Sequence, residues 1–300
     1  SEYAASMGGS QVYLYAGETR TLHEMLLGIA VGSGNDASVA VAEFIAGSNE
    51  AFVAKMNEKA KELGMTGTHF MNPHGLHDPD HYTTAADMGK LAYYAIQVPK
   101  LLEYTSIYEY DFRPEPKLLK LWNTNRLLKW YEGTDGLKTG FTTEAGHNLV
   151  ATAKRDERRF ITVVLGAEGQ HGHFTESMKL LNYAFNSFDL ENYAIKGQIV
   201  AELPVVRGTI GQSELALKDD IRYMKKKGEE LTPECTLEMP QALEAPLAAG
   251  QEVGYYILSM NGEEISRTPL VVVKEIPKSN WWDIFKKAFC MTVFGIDITA

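Results

Sequence analysis

The chain has 300 residues, enough for one large or two ordinary domains with a substantial core. Its hydrophobic and charged fractions, 45% and 23%, are ordinary for a soluble globular protein, and a formal net charge of -10 argues against a nucleic-acid binder, since neutralising phosphates needs a basic face. The two cysteines, Cys235 and Cys290, fall in segments of different character and indicate neither a disulfide framework nor a zinc knuckle.

Ser1-Glu2-Tyr3-Ala4 has neither a basic start nor an apolar run, and Met is absent from the first position, so the chain is expected to be a mature or truncated piece of a longer protein. Thr21-Leu22-His23-Glu24 has the form of a capping box, and the apolar run from Met25 to Val31 ends at Gly32, which predicts a first helix. Ser33-Gly34-Asn35 follows as a tight connector. Asp36 is the expected cap of a second helix that stops at Gly47, and a third runs from Asn49 to Leu63 before Gly64. Thr84 opens another helical stretch that Pro99 closes.

From Gly136 the period becomes strand-like. Leu137 to Thr142, Asn148 to Ala153 and Arg159 to Gly166 are three β-rich runs, read as an antiparallel meander, and Phe174 to Phe188 returns to a helical pattern that would pack on it. Short β-like runs follow, the clearest being Gly254 to Met260 and Glu263 to Val273 around Asn261-Gly262, a strong hairpin signal. Over Ser279 to Ile298, Trp281, Trp282, Ile284, Phe285, Ala288, Phe289 and Val293 form an apolar helical arc opposite Asp283, Lys286 and Lys287. That segment is too charged and short to span a bilayer, which takes about 20 apolar residues, and suits the interface plane; a terminal helix docked on the protein is the alternative.

Two motifs carry the chemistry. Lys138-Thr139-Gly140 sits in Asp135-Gly136-Leu137-Lys138-Thr139-Gly140-Phe141-Thr142, where a turn runs into a strand, and Ser33-Gly34-Asn35 lies upstream between two helices. With these in order, the β-rich second part, the amphipathic tail and Asn72-Pro73-His74-Gly75-Leu76, the chain resembles the low-molecular-mass penicillin-binding proteins, and more narrowly the D-alanyl-D-alanine carboxypeptidases of serine peptidase family S11. The resemblance covers nearly the whole chain. It implies an α+β fold with a penicillin-binding-protein or β-lactamase-like catalytic domain over 1–190, a small all-β domain over 191–276 and a membrane-associating tail over 277–300. It implies removal of the terminal D-alanine from peptidoglycan stem peptides through an acyl-enzyme, without a cofactor or metal, on the outer face of the bacterial cytoplasmic membrane, with β-lactams as inhibitors of the intact enzyme.

Hydrolysing that amide requires an activated serine, a proton donor for the leaving amine, an oxyanion hole and a cation for the substrate carboxylate. By resemblance, Ser33 relays a proton near the leaving nitrogen and Asn35 orients the substrate amide and the lysine of the nucleophile. Lys138 supplies positive charge, the Thr139 hydroxyl helps hold the carboxylate, and the Phe141 N-H is one oxyanion donor. Gly140, without a Cβ, lets an extended peptide lie close beside the strand.

Departures limit this. No serine is followed three residues on by Lys; Ser177 comes nearest, with Lys179 two residues away. The nucleophile is therefore expected to lie in an N-terminal part absent from this chain, and the chain as given is predicted to be inactive. Ser33 is not a substitute nucleophile elbow, since Val31 and Asn35 occupy the glycine positions of that motif. After the third strand, some relatives carry an arginine where this chain has Glu168, so carboxylate recognition is expected to rest more heavily on Lys138 and Thr139 or on a basic residue elsewhere, for which Arg126 is a candidate. Two rival readings are a non-catalytic peptidoglycan-binding pseudoenzyme and a zinc hydrolase built on His69, His74, His77 and His81 with Asp78 and Asp80. Pro73, Gly75 and Pro79 break any helix there, and the residue after His77 is Asp78 rather than the glutamate of a zincin.

Overall fold

A computed structural model describes residues 1–114, 116–230 and 233–281. The chain divides into two compact units, Ser1–Asn186 and Ser187–Ala300.

The first unit opens with a short helix, α1 (Glu2–Ala5), and an extended segment that leads to α2 (Leu22–Ala30). The capping box forms as expected: the Thr21 hydroxyl accepts from the Glu24 N-H, and the Glu24 carboxylate accepts from the Thr21 N-H. The next helix, α3 (Asn35–Ala46), begins one residue before the expected cap. Its N-cap is Gly34, and the Asp36 carboxylate instead accepts from the backbone N-H groups of Val12 and Leu14. Asp36 is 1% exposed, and a carboxylate so buried needs several donors, which the extended 10–14 segment supplies. Gly47, at φ 83°, stops α3; Ser48 caps α4 (Asn49–Glu62) and Thr84 caps α5 (Ala85–Ala95).

Between Pro99 and Gly136 lie α6 (Leu101–Thr105), the hairpin of β1 (Glu109–Arg113) and β2 (Leu119–Trp122), and α7 (Leu127–Trp130). Elements of four or five residues are too short to declare a period in sequence. The expected meander follows as β3 (Thr134–Thr142), β4 (Gly146–Arg155) and β5 (Arg158–Ala167), antiparallel in that order, with β3 at one edge among the described residues.

Alternation along β4 explains how that sheet is covered on both faces. Leu149, Ala151 and Ala153 face Phe174, Leu181 and Phe185 of α8 (Gly172–Ser187), while Val150 joins Leu137 and Ala92 of α5. Leu181 is fully buried, worth about 1.5–3 kcal/mol for such a side chain. A separate core of Val12, Leu27, Val31, Ala37, Phe112 and Leu121 ties α2 and α3 to the β1–β2 hairpin.

The second unit is all β: β6 (Phe188–Ala194), β7 (Ile199–Val206), β8 (Gln212–Leu217), β9 (Ile221–Lys226), β10 (Glu234–Glu238), β11 (Leu243–Glu244), β12 (Glu252–Met260) and β13 (Glu263–Val272). Six of these form one sheet in the order β10-β12-β13-β8-β7-β11, and β6 pairs with β9. The predicted hairpin is present, with Asn261 and Gly262 both at positive φ, 53° and 82°, as a two-residue connection requires. Leu215, Leu217, Ile221, Leu258 and Leu270 fill its core. The architecture is α+β. The amphipathic segment expected over 279–298 lies, beyond Trp281, outside the described residues, and no helix among the described residues is long and apolar enough to cross a membrane.

Candidate active site

The two motifs, more than a hundred residues apart, meet. Lys138 Nζ donates to Ser33 Oγ at 2.8 Å and to the Thr139 carbonyl at 2.8 Å. Burial pushes the Lys138 ammonium down to about 8, and no carboxylate pairs with it among the described residues. Both residues line a cleft of about 1280 Å³ in the first unit, together with Asn35, Thr139, Gly140, Phe141 and Arg126.

Ser33 reaches that cleft from a strained turn. Its φ is 55°, the left-handed region that costs a residue with a Cβ about 1 kcal/mol or more. The turn is held by bonds on each side: Ser33 N-H to Ile29 O, Gly34 N-H to Gly28 O and Asn35 N-H to Ser10 O at 2.8 Å. Asn35 is 7% exposed and donates its Nδ2 to Gly8 O at 2.8 Å. Gly9, at φ 78°, gives that amide room, because a Cβ there would stand 2.6 Å from Asn35 Nδ2.

Lys138, Thr139 and Gly140 are successive residues of β3, paired with Val150, Leu149 and Asn148 of β4. The start of β3 is braced by a bidentate pair, Arg159 Nη1 and Nη2 to the Asp135 carboxylate at 2.8 and 2.7 Å. Thr105 Oγ1 donates to Asp135 O, and Asn125 Nδ2 donates to Gly136 O. Next to Gly140 nothing lies within 4 Å of where a Cβ would stand, so the strand is open to the cleft at that position.

Thr124 was not among the residues singled out by motif. Its hydroxyl lies 2.5 Å from that of Thr139, and it is placed by Asn123 and Asn125, whose side chains bond to backbone two residues on. That Asn-x-Asn pattern is the one sequence signal that marks the turn. Arg126 lines the same cleft with its guanidinium 5.5 Å from the centroid of the Trp130 ring, whereas Glu168 is exposed outside it. Ser177, the nearest match to the missing motif, is fully buried on α8 and does not line the cleft.

The dense histidine segment is a braced loop. His69 Nδ1 contacts Asp80 O at 2.8 Å, His74 Nδ1 accepts from the Leu76 N-H at 3.1 Å, and His81 Nδ1 accepts from the Met71 N-H at 3.5 Å. Burial lowers the pKa of both His74 and His81, which favours the neutral acceptor form. Among the described residues no group of three His, Cys, Asp or Glu is disposed to hold a metal ion.

The profile of the D-alanyl-D-alanine carboxypeptidase family matches residues 1–169, and that of the penicillin-binding protein 5 C-terminal domain matches residues 188–278. The chain is 41% identical over 290 residues to D-alanyl-D-alanine carboxypeptidase DacF of Bacillus subtilis, covering 96% of this chain and 74% of that protein. It is 36% identical over 280 residues to D-alanyl-D-alanine carboxypeptidase DacA of Escherichia coli, covering 92% and 68%. Among solved structures, a peptidoglycan synthesis regulatory factor (PBP3) from Streptococcus pneumoniae superposes with a TM-score of 0.82 at 27% identity, over 92% of this chain and 84% of that one. With the family profile spanning more than half of its length and nearly all of the chain aligned to both relatives, over about two thirds to three quarters of their own lengths, the chain belongs to the D-alanyl-D-alanine carboxypeptidase family.

Proposed function

We propose that this chain carries the substrate-holding half of a serine-type D-Ala-D-Ala carboxypeptidase site acting in peptidoglycan metabolism. The observation that carries the reading is the contact of Lys138 Nζ with Ser33 Oγ beside an open edge strand. An extended peptide ending in D-Ala-D-Ala adds to the free edge of β3, a mode in which main-chain hydrogen bonds supply affinity and side-chain pockets supply selectivity. Its terminal carboxylate lies at Lys138 and the hydroxyl of Thr139. Ser33 and Lys138 share a hydrogen bond along which a proton passes to the leaving amine, Asn35 orients the scissile amide, and the Phe141 N-H faces the developing oxyanion.

The reading requires a Ser-x-x-Lys that these 300 residues do not contain. The chain is therefore expected to bind a D-Ala-D-Ala peptide reversibly and to take up no covalent label from a fluorescent penicillin. A labelled serine in the intact chain would overturn this division of labour, and loss of peptide binding in Lys138→Ala is the matching positive result. The same lack supports a second reading of the isolated chain, a binding module that hydrolyses nothing.

The pattern over 279–298, with Trp281 and Trp282 on its apolar arc and Lys286 and Lys287 opposite, supports attachment to a membrane surface on the outer side of the cytoplasmic membrane. Co-sedimentation with anionic vesicles checks it: a chain ending at residue 278 should stay in solution, and equal sedimentation of both chains sinks the assignment.

A further inference from the structure

One end of the cleft lies outside the track of the bound peptide. Asn123 and Asn125 tie their loop to its neighbours: Asn125 Nδ2 donates to Gly136 O near the start of β3, and Asn123 Nδ2 donates to Ile107 O before β1. The Asn123 N-H donates to Tyr108 O at 2.7 Å, which brings Tyr108 beside Trp122 at the end of β2. These two rings therefore stand on the side of Lys138 away from Phe141, and both line the cleft. On the proposed reading the peptide ends with its carboxylate at Lys138 and runs towards Phe141, so none of it extends to them.

Three observations fit this corner to a sugar. The first is shape. Trp122 and Tyr108 meet with centroids 6.2 Å apart and 77° between their planes, so the rings form an angled wall, and Trp122 is 54% exposed. The second is the pair of cations laid on them. Lys129 Nζ lies 4.7 Å from the Tyr108 centroid and Lys120 Nζ 5.7 Å from the Trp122 centroid, which steadies the rings and sets ammonium donors at their rim. The third is size. The cleft of about 1280 Å³ exceeds the roughly 300–1,000 Å³ of a pocket for a drug-sized ligand, and a terminal dipeptide fills only part of it. Apolar ring faces edged by hydrogen-bond donors complement a pyranose, which has an apolar C-H face and a rim of oxygens. A bilayer fits less well, because rings that wall a recess do not meet a flat surface.

We propose that Trp122 and Tyr108 form a saccharide subsite, on which a pyranose ring of a peptidoglycan glycan packs while Lys120 and Lys129 donate to its oxygens. The proposal rests on the reading of the cleft as a D-Ala-D-Ala peptide site. Because the bound peptide leads away from this corner, the sugar seated here belongs to a neighbouring strand and not to the one that bears the peptide. The cleft thus spans two strands of the polymer, and peptide and sugar occupy it together.

Chitotetraose, an uncharged tetramer of N-acetylglucosamine, tests this by calorimetry on the intact chain. It is expected to bind, with an affinity that changes less than about twofold when a peptide ending in D-Ala-D-Ala is present at saturation. Trp122→Ala should weaken the saccharide about tenfold and leave peptide affinity unaltered, which also shows that the variant is folded; Trp122→Phe should restore most of the loss. Saccharide binding that survives Trp122→Ala, or none to the unmodified chain while the peptide binds, overturns the subsite and leaves the D-Ala-D-Ala reading intact. Displacement of the saccharide by the peptide places it in the peptide track and overturns the subsite as well. If the chain binds no saccharide but its sedimentation with anionic vesicles drops in Trp122→Ala, the rings belong to a membrane surface and the subsite is overturned. If the saccharide binds and the peptide does not, the underlying reading fails, and the assignment to a neighbouring strand falls with it.

Discussion

The Ser33 loop and the Lys138 strand meet through one hydrogen bond but are secured by unlike means. The loop has irregular backbone with a positive φ, and its neighbouring segment owes its order to Asp36, a carboxylate 1% exposed that accepts from Val12 and Leu14. The strand is satisfied by its own ladder to β4, and its anchor, the Arg159–Asp135 pair with side chains 23% and 25% exposed, fixes only its first residues. Where backbone leaves the regular ladders its N-H groups need buried acceptors, so the loop leans on the carbonyls of Ile29, Gly28 and Ser10 and its neighbouring segment on one carboxylate; the strand spreads its stability over many ladder bonds.

This asymmetry predicts a hierarchy of effects. Asp36→Ala should have the largest, about 3 kcal/mol of unfolding free energy in a urea titration, because it leaves buried N-H groups without acceptors. A loss under about 1 kcal/mol would show that the loop holds itself. Next comes pH. The ordinary lysine value of 10.5 falls to about 8 in the folded chain, so the unfolded chain binds this proton more tightly. The contribution of Lys138 to stability is therefore at its lowest below about pH 8 and rises as pH climbs towards 10.5. Binding runs the other way: a carboxylate needs the ammonium, so peptide affinity should drop about tenfold between pH 7 and 9. Parallel melting and calorimetric titrations would separate the two trends, and affinity that stays level across this range would remove Lys138 from carboxylate binding. The smallest effect is expected for Arg159→Gln, about 1 kcal/mol or less in stability for a pair this accessible, with a few-fold loss of peptide affinity as the start of β3 before Lys138 loosens.

Much of the fold was legible because its signals are local. Thr21 and Glu24 close their capping box within one turn, Asn261-Gly262 turns the chain within two residues, and the alternation from Leu149 to Ala153 declares which face is covered. The Ser33 and Lys138 motifs were legible as types in a given order. What escaped depends on contacts between distant segments. Asp36 looked like a helix cap because capping is a local habit, and only the fold brings Val12 and Leu14 to it. Thr124 acquires its place from the position of Thr139, and Arg159 from that of Asp135. Histidine density misled in the same manner. The crowded segment from His69 to His81 turns its ring nitrogens to its own backbone, while His147, His171 and His173, dispersed over the sequence, are gathered by strand register and a helix start.

The open edge of β3 carries a liability as well as a use. Unpaired N-H and C=O groups do not distinguish a cell-wall peptide from the same strand of another copy, and Phe141, 62% exposed, stands beside them as an adhesive apolar tip. On the proposed reading, a proline or an inward-facing charge that blunted this edge would also close it to a peptide. A formal net charge of -10 is a guard against such pairing, by mutual repulsion between molecules. Salt weakens that guard before it touches the fold, which makes ionic strength a determinant of whether β3 meets a peptide or its own twin.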